Sequence, residues 1–223
     1  MNKTKAAACG IMALVAVCCA IMAYVETVIE PAYAVKSGIK AAVFLVLPVI
    51  FSKAAGIGRI GRPFKPDGKR VLRLLLPGFC IYAIILGAYA LTRGVFDYAA
   101  LVRSLSADQK VAGGSFLWVA LYISFCNSFL EEFLFRLVSF ILLSKYTAPI
   151  TAYAFSSLAF AIYHLAMIGS SFPPPLLVLA LAGLAVGGAI FDCADRKEGT
   201  MLSSWVIHMF ADLAIMTVWY IYL

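Results

Sequence analysis

Apolar residues run along this chain in long unbroken stretches, without the alternation of a half-buried strand or the narrow stripe of a surface helix. Seven stretches stand out, at about residues 6–28, 39–55, 71–92, 115–143, 148–168, 175–193 and 201–222. About 20 apolar residues carry a helix across the hydrocarbon core of a bilayer. The stretch at 39–55 is marginal and contains Pro48; the others fit comfortably. Inside lipid every backbone N–H and C=O must be satisfied within the protein, which leaves helices or closed barrels, and continuous apolarity excludes a barrel. The pattern therefore predicts an all-α fold, a polytopic transmembrane helical bundle of about seven spanning helices. One membrane domain is expected over residues 1–223.

Composition agrees. Of the 223 residues, 64% are hydrophobic and 13% charged, against about 45–50% and about 25% in a soluble domain. No soluble core of this size could bury that excess. The first stretch follows Lys3 and Lys5 as a signal peptide's would, but it is long enough to span, and an uncleaved first helix is expected. The six cysteines show no C-x-x-C spacing. They read as small buried hydrophobes, with no zinc knuckle or redox pair.

The formal net charge of +7 falls between apolar stretches, so anionic lipid headgroups are the expected partner and nucleic acid is not. With the N-terminus inside, the inner segments hold Lys3, Lys5, Lys53, Arg59, Arg62, Lys65, Lys69, Arg70, Arg73, Arg136, Lys145, Arg196 and Lys197. The outer segments hold only Lys36, Lys40, Arg93, Arg103 and Lys110. The positive-inside rule then gives a cytoplasmic N-terminus and an external C-terminus. A bacterial plasma membrane is the expected location.

Ionisable residues inside spanning segments are costly and are functional candidates by default. The fourth stretch carries Glu131, Glu132 and Arg136, the fifth His164, and the seventh His208 and Asp212. Asp192 closes the sixth and is expected at the interface with no special role. Glu132 and Arg136 lie four apart and share a helix face as an ion pair, whereas Glu131 is rotated away by about 100° and left available. His208 and Asp212 have the same four-residue spacing, as do Phe160 and His164, where the ring would shelve the imidazole. Counting from a turn near Thr147 and Pro149, Glu131 and His164 each lie roughly 25 Å along their helices, hence at one level.

At these residues the sequence resembles a known family, the type II CAAX prenyl proteases and bacteriocin-processing enzymes called CPBP or Abi. Its patterns E-E-x-x-x-R, F-x-x-x-H and H-x-x-x-N/D read here as Glu131-Glu132 to Arg136, Phe160 to His164 and His208 to Asp212. The small-residue stretch Gly183 to Gly188 resembles the family's glycine-bearing segment. The resemblance covers about residues 115–215, a catalytic core, and leaves 1–110 without a matched motif. It implies an intramembrane endopeptidase acting on a membrane-associated or lipidated peptide or protein. In it Glu131 would be the general base activating a water, with His164 orienting or sharing the proton. His208 and Asp212 would stabilise the oxyanion or hold the water, Asp212 preferably by orienting a donating His208. Glu132, Arg136 and Phe160 would support.

The resemblance leaves a zinc enzyme as the alternative, with Glu131, His164 and His208 as ligands. No H-E-x-x-H helix is present, and a metal-free, cofactor-free reaction is preferred. A proton relay or ion transporter would also place Glu and His in a membrane, but the chain has no inverted repeat or matched pair of broken helices. A catalytically idle scaffold or immunity factor is the last alternative, and the filled catalytic positions argue against it.

Overall fold

The computed structural model describes residues 3–58, 60–61, 64, 68–108 and 116–223, with the side chains of residues 70 and 71 excepted. Among the described residues all regular structure is helical. Eight helices follow in order: α1 (Lys3–Ile29) and α2 (Tyr33–Ala54), α3 (Gly68–Thr92), α4 (Tyr98–Asp108), α5 (residues 116–142), α6 (Pro149–Ile168), α7 (Pro174–Arg196) and α8 (Leu202–Ile221). Within α3, residues Leu72–Thr92 form the apolar span.

Six of these, α1, α2, α3, α6, α7 and α8, are long and apolar enough to cross a membrane. The chain is an integral, multi-pass membrane protein. The remaining expected span is α5, which is helical from Phe116 onward but alternates α and π turns. Its pieces are Phe116–Leu121, Tyr122–Asn127, Ser128–Glu132 and Phe133–Leu142. A π turn widens the helix and leaves the backbone locally out of α register. The second stretch forms a fuller helix than its apolar run promised, because α2 begins at Tyr33 and takes in Lys36 and Lys40. α4 was not foreseen and, at 11 residues, is too short to cross. The basic loop that decides orientation falls largely outside the described residues, including Arg59, Arg62, Lys65 and the Arg70 side chain; Lys110 does too.

The chain divides into two compact units, the division falling within α5 and α8. The first comprises Met1–Lys65 and Leu130–Ser204. Its interior is set by Ile11, Val15, Cys18 and Met22 of α1, Phe44 of α2, and the nearly continuous buried run from Leu130 to Phe140. Phe44, Phe135, Phe160 and Tyr163 meet edge to face or tilted, with centroids 5.3–5.9 Å apart. That geometry suits the quadrupoles of aromatic rings. Asp195 near the end of α7 accepts the Ser204 N–H at 3.1 Å, satisfying one of the donors that the start of α8 leaves open.

The second unit comprises Pro66–Phe129 and Trp205–Leu223. Its core gathers Val102 of α4, Phe116 and Ala120 of α5, and Met216 and Trp219 of α8. Polar bonds between helices tie it further: Tyr82 to Thr217 and Tyr89 to Tyr222, both at 2.9 Å, and the Trp219 indole donating to Ser106 at 2.9 Å. On the outside, Leu72, Leu76, Ile84 and Leu91 of α3 are exposed, as expected of side chains solvated by lipid.

The cysteines depart from expectation. Only Cys18 is buried; Cys9, Cys80, Cys126 and Cys193 are exposed on the protein's outer faces. A helix solvated by lipid has no need to turn its small apolar residues inward, so apolarity alone does not predict burial there.

Candidate active site

The first unit carries Glu131 on α5 and His164 on α6. Glu131 is 1% exposed, and its Oε2 stands 3.7 Å from Nε2 of His164. The expected common depth of these residues is therefore observed. The imidazole is fixed from behind: its Nδ1 lies 2.8 Å from the Phe160 carbonyl oxygen. A carbonyl only accepts, so Nδ1 carries a hydrogen, and Nε2 is the nitrogen that faces Glu131. The Phe160 ring meets the imidazole edge to face with centroids 4.6 Å apart, as the four-residue spacing predicted. A carboxylate oxygen and a ring nitrogen thus converge inside the protein.

Glu131 is not left available. Lys40 of α2 places Nζ 2.6 Å from Oε1, with both side chains almost wholly buried. The count of Lys40 with the outer segments does not hold, because α2 starts at Tyr33, seven residues before it, which puts Lys40 about 10 Å into the helix. The ammonium also lies over the faces of Phe44 and Tyr163, at 5.3 and 5.0 Å from their centroids. The rings' negative faces favour a cation there. Four residues earlier on the same helix, Lys36 pairs with Glu26 at 2.7 Å.

Glu132 points the other way, as a 100° rotation requires, and accepts from Arg136 Nε at 3.0 Å. Here Asp192 corrects the sequence reading. It is fully buried, and its Oδ1 lies 3.3 Å from Arg136 Nη1. Ser156 and Ser157 of α6 donate to its two oxygens at 3.0 and 3.4 Å. Arg136 is sandwiched between the rings of Phe160 and Phe191, 4.8 and 5.2 Å from their centroids. α7 continues to Arg196, so Asp192 sits a full turn inside the helix end, where hydropathy had placed an interface. The cluster is an internal tie between α5, α6 and α7, with Phe160 serving both it and His164.

The second unit carries His208 and Asp212, one turn apart on α8. Nε2 of His208 lies 3.6 Å from Asp212 Oδ1, and both residues are buried. The four-residue spacing thus brings acid and imidazole to one face. Among the described residues, no group of three or more His, Cys, Asp or Glu is placed to hold a metal ion.

Lys40 and Asp192 are the two residues that motif reading missed. Lys40 left a trace in sequence: apolar residues flank it on both sides and a second lysine precedes it by one turn. Asp192 left less, since an acid at the end of an apolar run looks the same whether the helix stops or continues.

Fold and site together define a multi-pass helical membrane protein whose interior holds a carboxylate–imidazole pair. Residues 113–214, a little under half of the chain, match the family model described as type II CAAX prenyl endopeptidase Rce1-like. The match covers the three motifs of the CPBP/Abi resemblance and supports a CAAX-type intramembrane endopeptidase in general. No curated protein and no solved structure matches the chain.

Proposed function

We propose that this protein is an intramembrane endopeptidase in which Glu131 is the base that activates water. The observation that carries the reading is the 3.7 Å approach of Glu131 Oε2 to His164 Nε2 within the protein interior. A water between a carboxylate and a neutral imidazole meets two acceptors for its protons and is poised to attack a peptide carbonyl. Proton transfer to Glu131 leaves hydroxide to form the tetrahedral intermediate; the same carboxyl group then returns the proton to the leaving amine. In the second unit, Asp212 is proposed to orient His208 as a hydrogen-bond donor.

The reaction is proposed to be metal-free. Supporting this, the Lys40 ammonium lies 2.6 Å from Glu131 Oε1; a dication sharing that carboxylate would face a like charge in a medium of low dielectric. The substrate is proposed to arrive from the bilayer as a lipidated or amphipathic peptide, or as another membrane segment. The N-terminus is proposed to face the cytoplasm. Removing Lys36 and Lys40 from the outer loops, since both pair within helices, strengthens the charge asymmetry on which that orientation rests.

The test is cleavage of a membrane-associated reporter peptide by purified protein in liposomes. Glu131→Gln, which keeps shape and loses the base, is expected to fold normally and to abolish turnover; retained turnover would remove Glu131 from the role. Elemental analysis and a strong chelator run beside it. Stoichiometric zinc with chelator-sensitive cleavage would overturn the metal-free reading and recast Glu131 and His164 as ligands.

A further inference from the structure

We infer that Lys40 is a positioning residue of this site, one that selects which oxygen of Glu131 receives the proton. The inference rests on Glu131 being the base, and it goes further, because Lys40 lies outside the segment 113–214 that matches the family.

A lysine near the end of a membrane helix ordinarily extends its ammonium to the headgroups. Lys40 does the opposite. Its side chain is 5% exposed, and the ammonium goes inward to Glu131 Oε1 at 2.6 Å. Phe44, one turn along the same helix, and Tyr163, beside His164 in sequence, lie under it at 5.3 and 5.0 Å. Charge, depth and aromatic support all come from residues that converge on one carboxylate.

The terminal torsion of glutamate is broad and roughly two-fold, so an untethered carboxylate would present either oxygen. With the ammonium on Oε1, the oxygens become inequivalent, and Oε2 is held towards Nε2 of His164 at 3.7 Å. The proton balance is simple. A water O–H bond breaks, its proton passes to Oε2, and the oxygen bonds to the peptide carbonyl carbon. When the C–N bond breaks, that proton leaves Oε2 for the amine. Lys40 keeps its three hydrogens throughout; while Glu131 is neutral, the rings of Phe44 and Tyr163 continue to hold the cation.

The experiment measures kcat and KM for reporter cleavage in liposomes with Lys40→Met, Lys40→Arg and Glu131→Gln, each first shown to be folded by gel filtration and thermal unfolding. Lys40→Met is expected to lower kcat by roughly tenfold to a hundredfold, the scale of a base displaced by about an ångström. KM should stay within about twofold, since uniform binding is untouched. Lys40→Arg, which restores a cation, should recover most of the loss. Should Lys40→Met not accumulate, Lys40→Gln, which keeps a donor without the charge, is judged by the same criteria. An unchanged kcat, a loss confined to KM, or a loss that arginine does not recover would overturn the inference. An active Glu131→Gln would instead overturn the assignment of the base itself, so the two failures are distinguishable.

Discussion

Gly188 of α7 faces Ser157 of α6 so closely that a methyl group on its Cα would lie 3.1 Å from the Ser157 Cα. The contact is backbone against backbone, and it lies one turn before Asp192, whose Oδ2 accepts from Ser157 at 3.4 Å. Close approach of the two helices and burial of the acid are the same event. Small residues at such crossings let membrane helices approach within hydrogen-bonding reach.

Gly188→Leu is therefore expected to destabilise the protein by about 1–3 kcal/mol, the usual cost of overpacking. Among the described residues, nothing stands within 4 Å of a Cβ at Gly183 or Gly187, so alanine at either should leave the unfolding midpoint nearly unchanged. Thermal unfolding in detergent separates the three. Equal midpoints for all would mean that α6 and α7 do not depend on this contact.

Arg136 holds two carboxylates at once. Arg136→Ala would take the cation away from two buried carboxylates, Glu132 and Asp192, and removing one partner of a buried pair costs about 3–5 kcal/mol. The expected outcome is a sharp fall in folded yield, measured by fluorescence-detected gel filtration. Asp192→Asn should be milder, because the amide oxygen can still accept from Ser156 while the amide N–H2 stands where the Ser157 hydroxyl can accept. A folded but inactive Arg136→Ala would contradict the structural assignment and move the arginine towards the chemistry.

How far could these ties be read in advance? The pair Glu132–Arg136 and the opposite facing of Glu131 follow from helical rotation alone, and the common level of Glu131 and His164 follows from counting along two helices joined by a short turn. Those relationships are local or nearly so. Lys40 and Asp192 lie 91 and 56 residues from their partners Glu131 and Arg136. Their burial is decided by where α2 begins and α7 ends, and hydropathy locates helix ends poorly when the terminal turns mix charged and small residues. The π turns of α5 are likewise invisible in an apolar run.

His164 offers a test of its two nitrogens separately. Asparagine places its amide where Nδ1 lies and can keep a donor to the Phe160 carbonyl, but nothing then faces Glu131. Glutamine reaches the Nε2 position. His164→Asn is expected to fold and to lose roughly 10²–10⁴-fold in kcat, the range of general acid–base assistance; His164→Gln should lose less. The reverse order, measured by reporter cleavage, would mean that the bond to Phe160 is the one that matters.

Asp212 stands 3.6 Å from Nε2 of His208 on the same helix face. If it orients that ring, Asp212→Asn keeps a polar group at the same reach and should retain partial turnover, while His208→Ala should lose more. Complete loss in Asp212→Asn, with the protein folded, would show that the carboxylate charge is required.

Lys40 reaches Glu131 from a helix that ends 59 residues before the family-matched segment begins at residue 113. The recognisable half of this chain is therefore not a portable cassette. A graft cut at that boundary would carry Glu131 and His164 into a new host and leave the ammonium behind. Any shortened or chimaeric version must bring α2 along or supply a cation at the same depth from another helix.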